Sequence, residues 1–342
     1  MSISFRKIST KTRLMNPLKE FCSEEIPLEI RFDPLTGQTG RIFDLPYSPP
    51  GLPDVTEIIQ RSKEIFCPFC PEVVEKSTPL FPKEVIAEGR IRVGDALLVP
   101  NLLPLDKYTG ISIVSSEHFI AMADLTPERM RDAFSAARLF IKRIADLDPQ
   151  VNFFYINWNY MPEAGSSLVH PHIQVNCGAV PTNYHRSQME GCRKYYKENR
   201  SNFWQDFIRA ERELGERFIG ELDSTFWTMS YVPQSYVPDV WCIFPEHDSI
   251  TRLTEDDFMP FLRGLSRTLA YFSMENISSF NMSMFSVRED ENFCVNVKIC
   301  PRHLLRGIGN SDQTYFQILH KEPCAVRPPE SVCETVKKVF GF

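Results

Sequence analysis

The chain has 342 residues, more than one hydrophobic core usually serves, so two domains or two fused halves are expected. Its composition, 43% hydrophobic and 24% charged, is that of an ordinary globular protein, and its net charge of −6 comes with no long basic run. That balance excludes nucleic acid and anionic membrane as partners and leaves room for a small phosphorylated ligand in a locally positive pocket.

Residues 1–25 begin MSISFRKISTKTRLMNPLKEF, a basic stretch without the apolar core of a secretory signal, and read as an N-terminal extension with no assigned role. No window approaches the ~18 apolar residues of a membrane span. The ten cysteines form no short-spaced secreted framework, which predicts reduced thiols and a cytoplasmic location.

Residues 26–182 read as a first half. In FCPFCP, Cys67 and Cys70 stand at the C-x-x-C spacing, and Pro68 and Pro71 stiffen the turn between them. The apolar strand GISIV then leads to Glu117 and His118. After Leu125 a helix is predicted: Thr126 suits the N-cap, Pro127 the first turn, and Glu128 the positive end of the helix dipole. Met130, Phe134, Ile141 and Ile144 give it a buried face, and two strands follow, ending in LVHPHIQV.

Residues 183–222 are highly charged, with Phe203, Trp204, Phe207, Leu214 and Phe218 as a partial apolar stripe. They predict one long connecting helix across the surface. Residues 223–342 then repeat the earlier order: a strand, DVWCIF; Glu246 and His247; Leu253 and Thr254 opening a helix with Glu255 and Asp256; and strands reaching FCVNVKIC. The reading is an α+β fold of two fused halves, each a mostly antiparallel sheet with packed helices.

Residues at even spacing on a strand share a face. His170, His172 and Gln174 therefore project together, with Val169, Pro171, Ile173 and Val175 opposite. Two thiolates from one C-x-x-C turn need two more ligands to close a tetrahedral site, and His118 and His170 are the candidates, which makes Zn2+ the expected ion. No thioredoxin-like βαβ pattern supports a redox pair instead. His247 reads as a satisfied strand-end histidine. With His170 tied to metal, His172 is left free on the same face, and a neutral imidazole is a competent nucleophile toward phosphorus. Gln174 offers an amide N–H to a phosphate oxygen.

At these residues the chain resembles a known family. NYMPEAGSSLVHPHIQ resembles the signature of galactose-1-phosphate uridylyltransferase and its relatives in the histidine-triad superfamily. RFDPLTGQ (Arg31 to Gln38) is similar to the family's entry segment, CPFCP and SSEHF resemble its zinc-ligand segments, and PNLLPLDKYTG stands where a phosphate- and ribose-contacting loop is expected. The resemblance runs from about Arg31 to the C-terminus. It implies two fused histidine-triad-like halves, pairing into a homodimer, and a nucleotidyl group held covalently on His172. It further implies Gln174, Asn159 and Ser167, with neighbouring Ser166, as phosphate-binding residues, and Gly165 as the point where the backbone approaches the phosphates. Cys67, Cys70, His118 and His170 become the zinc ligands, and Arg31 and Asn101 match nucleotide-side positions.

Departures from the family pattern shape the expected chemistry. Gln174 replaces the third histidine usual in histidine-triad hydrolases; an amide takes no proton, which favours transfer to an acceptor over hydrolysis. Ile173 stands where the family has glycine. In the second half Asn296 and Lys298 replace the histidine pair, so no second-half metal is expected. Near the C-terminus, TYFQILHKEP puts His320 and Lys321 where the sugar-contacting Tyr and Glu of true uridylyltransferases stand, which makes galactose doubtful and, with Lys298, suggests an anionic acceptor such as phosphate or a sugar phosphate. The leading expectation is a uridylyl- or adenylyltransferase, or a phosphorylase, acting on a nucleoside-diphosphate sugar. A histidine-triad nucleotide hydrolase and a non-catalytic nucleotide-binding protein are the alternatives.

Overall fold

The computed structural model describes residues 3–45, 55–303 and 311–342. Near the N-terminus lie β1 (Lys7–Asn16), β2 (Cys22–Phe32), β3 (Thr39–Phe43), α1 (Val55–Glu64) and α2 (Val74–Ser77). The first half continues as β4 (Ile91–Val93), β5 (Ala96–Pro100), β6 (Tyr108–Ile113), α3 (Pro127–Leu147), β7 (Phe153–Tyr160) and β8 (His172–Gly178). Two helices, α4 (Asn183–Asn199) and α5 (Phe203–Leu214), lead to the second half. There β9 (Phe218–Leu222), β10 (Thr225–Met229), β11 (Val240–Ile243), α6 (Glu255–Met274), β12 (Ser279–Val287) and β13 (Asn296–Arg302) repeat the order of β4 to β8 around α3. The chain closes with α7 (Tyr315–Leu319), β14 (Cys324–Ala325) and α8 (Pro329–Phe340).

The duplication read from the sequence is visible in the topology. One ten-stranded sheet runs β4-β5-β6-β8-β7-β12-β13-β11-β10-β9, every neighbour antiparallel. Counted outward from the central β7–β12 pair, each strand of one half meets its counterpart in the other. The two halves therefore share a continuous sheet. Both helix starts behave as the sequence predicts: Thr126 accepts from Arg129 N–H, and Thr254 forms a reciprocal capping box with Asp257.

Two expectations are corrected. The connector is not one helix. Arg200 turns left-handed at φ 57 and ends α4, and Asn202 caps α5 by accepting from Trp204 and Gln205, while β9 belongs to the second half's sheet. The apolar stripe expected of this segment is the packed face of α5, with Phe203, Trp204 and Phe207 buried against Trp241 while Gln205, Arg209 and Arg212 stay exposed. The N-terminal residues also have a place, since β1 pairs with β2 along its whole length and Ile3 and Phe5 join the core beneath α5. A second sheet, β1-β2-β3-β14, ties the two ends of the described chain together.

Apolar residues on one face of the large sheet, among them Ile173, Val175, Ile156, Met282 and Val297, pack on α3, α6 and α8. The opposite face is covered by α4 and α5 over the second half, and by the Cys67–Phe69 segment over β5 and β6. Between those covers the polar face of the central strands is left approachable.

A buried charge cluster locks this arrangement. Arg31 on β2 forms a two-pronged bond to Glu330 in the first turn of α8, at 2.8 and 2.9 Å, and Arg217 donates to the same carboxylate at 2.8 Å. Arg31 and Arg217 are 3% and 1% exposed, so losing their shared partner takes a carboxylate from each of two buried cations, which Glu29, Glu211 and Glu216 still face. Replacing Glu330 with Ala is expected to cost about 3–5 kcal/mol in chemical denaturation. Burial pushes the neighbouring Glu211 carboxyl up to about 7 even with Arg217 at 3.1 Å. Because the folded state then holds this proton more tightly than the unfolded chain, the group's contribution to stability falls as pH rises from about 4.5 through 7. The melting temperature of Glu211→Gln relative to the native protein should therefore climb between pH 5 and pH 8; a constant difference refutes the assignment.

Candidate active site

The C-x-x-C turn sits over β5 and β6, with Phe69 buried against Leu97, Val99, Ile111 and Ile113. This packing carries Cys67 and Cys70 to the end of β6, where His118 follows in the next loop and His170 precedes β8. The ligand atoms of Cys67, Cys70, His118 and His170 all lie within 4.8 Å of one another. Cys70 Sγ is 3.2 Å from His118 Nδ1, and His170 Nδ1 is 3.7 and 4.0 Å from the sulfurs of Cys67 and Cys70. A four-coordinate ion with bonds of about 2.0–2.3 Å places its ligand atoms roughly 3.4–3.8 Å apart, so the set needs little adjustment to close around one. Each histidine points Nδ1 inward and has its other nitrogen anchored: His170 Nε2 on the Ser115 carbonyl at 2.8 Å, His118 Nε2 on Ser62 Oγ at 2.9 Å. Burial, with Cys67 alongside, raises the Cys70 thiol to about 11, and burial lowers His170 to about 4. Crowded thiols facing neutral imidazoles are the donor set of a borderline-soft divalent ion, whose charge would reverse the cost of forming thiolates.

His172 begins β8, and the sequence-predicted face is the one it uses. Its ring and that of His170 both meet Phe69 edge to face, at centroid distances of 5.2 and 6.0 Å, which places them on one side. His172 Nδ1 lies 2.8 Å from the backbone carbonyl of His170. A carbonyl only accepts, so Nδ1 carries the proton and Nε2 keeps its lone pair. Burial lowers the pKa of His172 further, which keeps the ring neutral. His170, itself anchored among Cys67, Cys70 and the Ser115 carbonyl, thus fixes its neighbour's tautomer through one hydrogen bond.

Strand register extends this polar face across the sheet. Gln174 pairs with Asn157 on β7, Asn157 with Ser283 on β12, and Ser283 with Lys298 on β13. Ser283 Oγ donates to Asn157 Oδ1 at 2.8 Å, and Asn281 Nδ2 donates to Asn159 Oδ1 at 2.7 Å. Asn157, Asn281 and Ser283 were not singled out in the sequence, although Asn157-Trp158-Asn159 and Asn281-Met282-Ser283 carry the same period-two signal as the histidine pair.

The loop before β8 is held by strain and by internal bonds. Met161 has φ 70 and ψ 159, a region otherwise left to glycine at a cost of about 1–3 kcal/mol, and its buried side chain secures it. Its carbonyl accepts from Ala164 and Ser166 N–H. Gly165 has φ 86 with open space where a Cβ would stand, so its requirement is conformational. Ser166 Oγ donates to Leu168 O and is buried, whereas Ser167 is exposed beside the metal-ligating segment.

Other sequence-derived candidates lie elsewhere or are already engaged. Arg31 is enclosed at the β2–α8 junction, bonded to Glu29, Glu330 and the Tyr231 carbonyl, which corrects its nucleotide-side assignment. Asn101 shapes the loop after β5, its Oδ1 accepting from Leu103 N–H. Lys298 donates to Ser230 Oγ at 2.6 Å, lies 3.6 Å from Asp239 and 3.7 Å from the Trp241 ring centre, so its charge is answered inside the protein and not offered to an anion. Asn296 pairs with Ile243 as His172 pairs with Ile113, which corrects the expected match by putting Cys294 at the position of His170 and Lys298 at that of Gln174, and its Oδ1 accepts from Gln188 and Trp241. His247 is 3.4 Å from Asp257. His320 is exposed at the end of α7 among Tyr315 and Phe316, and Lys321 lines a separate cleft of about 350 Å³ with Gln38, Asn183 and Gln313.

No protein-family model matches the sequence. An uncharacterized protein of Archaeoglobus fulgidus is 29% identical over 321 residues, covering 93% of this chain and 94% of its own. Among solved structures, a galt-like protein of Arabidopsis thaliana (TM-score 0.68, 19% identity) and an ADP-glucose phosphorylase of the same plant with bound ADP-glucose (0.69, 18%) each match 91% of this chain and 98% of their own. A uridylyltransferase matches over the same shares at a TM-score of 0.65 and 19% identity. These likenesses establish the fold as that of the galactose-1-phosphate uridylyltransferase-like proteins. No helix among the described residues is long and apolar enough to cross a membrane.

The Cys67–Cys70–His118–His170 cluster makes its own prediction. Purified protein should carry about one equivalent of zinc by elemental analysis, and Cys67→Ser or His118→Ala should lose most of it and melt earlier. Full metal retention by both variants refutes the ligand set.

Proposed function

We propose that this chain is a nucleotidyltransferase that passes a nucleotide from a nucleoside-diphosphate sugar, through a covalent nucleotidyl-histidine at His172, to a phosphate or sugar-phosphate acceptor. The observation that carries this reading is the bond from His172 Nδ1 to the His170 carbonyl, which leaves Nε2 as a fixed, unprotonated nucleophile on a buried ring beside the half-buried Asn157, Asn159 and Gln174. The fold it shares with a phosphorylase that holds ADP-glucose and with a uridylyltransferase supports it.

Nε2 attacks the α-phosphorus; a P–N bond forms as the bond to the bridging oxygen breaks, and the departing phosphate keeps that electron pair and needs no proton. The imidazole becomes a phosphorylated cation whose remaining N–H stays on the His170 carbonyl, so the charge forms against a dipole already in place. Gln174, Asn157, Asn159 and Ser167 contact phosphate oxygens in this reading. In the second step an acceptor phosphate oxygen attacks the same phosphorus and the P–N electrons return to Nε2. Cys67, Cys70, His118 and His170 would hold a Zn2+ ion, whose charge would stabilise the thiolates and so anchor the nucleophile's neighbour. With Gln174 where a proton-accepting histidine would help water, the intermediate waits for an acceptor. A cytoplasmic setting and a homodimer belong to this proposal as well.

Labelled UDP-glucose and ADP-glucose, incubated with the protein and quenched in base, should give an acid-labile adduct that phosphate or a hexose phosphate discharges. His172→Gly should abolish the adduct while retaining metal. Discharge by water alone would establish a hydrolase, and an adduct persisting in His172→Gly would remove His172 from the mechanism.

A further inference from the structure

The two histidines of the metal-ligand set are held by different means. His170, just before β8, rests on a backbone carbonyl, that of Ser115. His118 rests on a side chain. Its Nε2 lies 2.9 Å from Ser62 Oγ, and Ser62 belongs to α1, 56 positions earlier in the chain.

Proton bookkeeping fixes the direction of that contact. A serine hydroxyl has one proton to give. Ser62 gives it to the Ile59 carbonyl at 2.7 Å, so toward His118 its oxygen accepts. Nε2 of His118 therefore carries the imidazole proton, and Nδ1, 3.2 Å from Cys70 Sγ, keeps its lone pair for an ion. With the proton on Nδ1 instead, the ring could not be a ligand at this place. Ser62 thus selects the ligating form of His118, as the Ser115 carbonyl does for His170.

The same bond has a second consequence, because α1 buries no residue of its own. Val55, Ile58 and Ile59 are only partly covered where they meet the core, and just past the helix Ile65 and Phe66 are 67% and 66% exposed. A pocket of about 210 Å³ takes Ile58, Ser62 and Phe66 from this helix and its end, Ser167 and Val169 from the segment before β8, and His118 from the loop after β6. The helix is therefore one wall of a pocket that also contains Ser167. With an ion on Nδ1, the Nε2–H of His118 becomes a stronger donor to Ser62, so loading the site tightens the hold on α1. By reciprocity, a seated α1 raises the affinity for the ion by the same factor.

We propose that Ser62 is a positioning residue for the metal, and that through its bond to His118 the loading of the ion seats α1 as a wall of the pocket beside Ser167. The inference rests on the ligand set Cys67, Cys70, His118 and His170, and is independent of the transfer chemistry. Zinc affinity is measured by competition with a chromogenic chelator, and hydrogen exchange in α1 is followed in the zinc-loaded protein. Ser62→Ala should weaken zinc binding by about tenfold to a hundredfold and speed exchange in α1, while α3 keeps its native protection. Ser62→Thr keeps a hydroxyl that reaches back to a helix carbonyl, and should retain both properties. Ser62→Val has the same shape without the hydroxyl; it should behave as Ser62→Ala does, and replaces it if that variant fails to fold. Native zinc affinity in Ser62→Ala or Ser62→Val overturns the proposal even where α1 loosens, because Ser62 then serves the helix alone. An equal loss in Ser62→Thr, or α1 exchange that does not move, overturns it too. A native protein that binds no zinc overturns the ligand set itself, and this inference with it.

Discussion

One hydrogen bond sets what this molecule can do: the 2.8 Å contact between His172 Nδ1 and the carbonyl of His170. It fixes which imidazole nitrogen is basic, and it is itself fixed because the His170 ring is held between the thiols of Cys67 and Cys70 and the Ser115 carbonyl. His172 is thus oriented by its neighbour's anchorage, and in the proposed transfer it needs no separate base. Every other feature of the site presupposes that ring standing still.

The shared sheet explains why a second half that has lost the histidine pair is retained. Joining β7 to β12 gives the first half's polar strands a continuation, Gln174–Asn157–Ser283–Lys298, that neither half has alone. The second half has turned its own equivalent positions inward: Asn296 serves Gln188 and Trp241, and Lys298 is balanced by Asp239 and Ser230. Neutralised in this way, those residues form a wall. The Arg31–Glu330–Arg217 cluster then clamps the chain's ends onto that wall, because one carboxylate answers two buried cations at once.

Much of the site was legible in the sequence because its signals are local. The C-x-x-C turn, the alternation around His170 and His172, the Thr-Pro-Glu helix start and the repeated order of strands are all short-range patterns, and short-range geometry is what fixes them. The break at Arg200 was less legible, since a non-glycine residue in the left-handed region has no strong sequence mark. Arg31 misled for a different reason. A motif match placed it by analogy, while its environment is decided by Glu330, 299 positions away.

By itself the sequence determined the grouping of Cys67, Cys70, His118 and His170, the strand face that His170 shares with His172, and the twofold plan, because backbone periodicity turns spacing into direction within a few residues. Only the tertiary structure decided which polar residues become neighbours and which charges remain available. Cross-strand partners such as Asn157 and Ser283 are brought together by sheet register between distant segments, and Lys298 is a charge in the sequence whose partner appears only after folding.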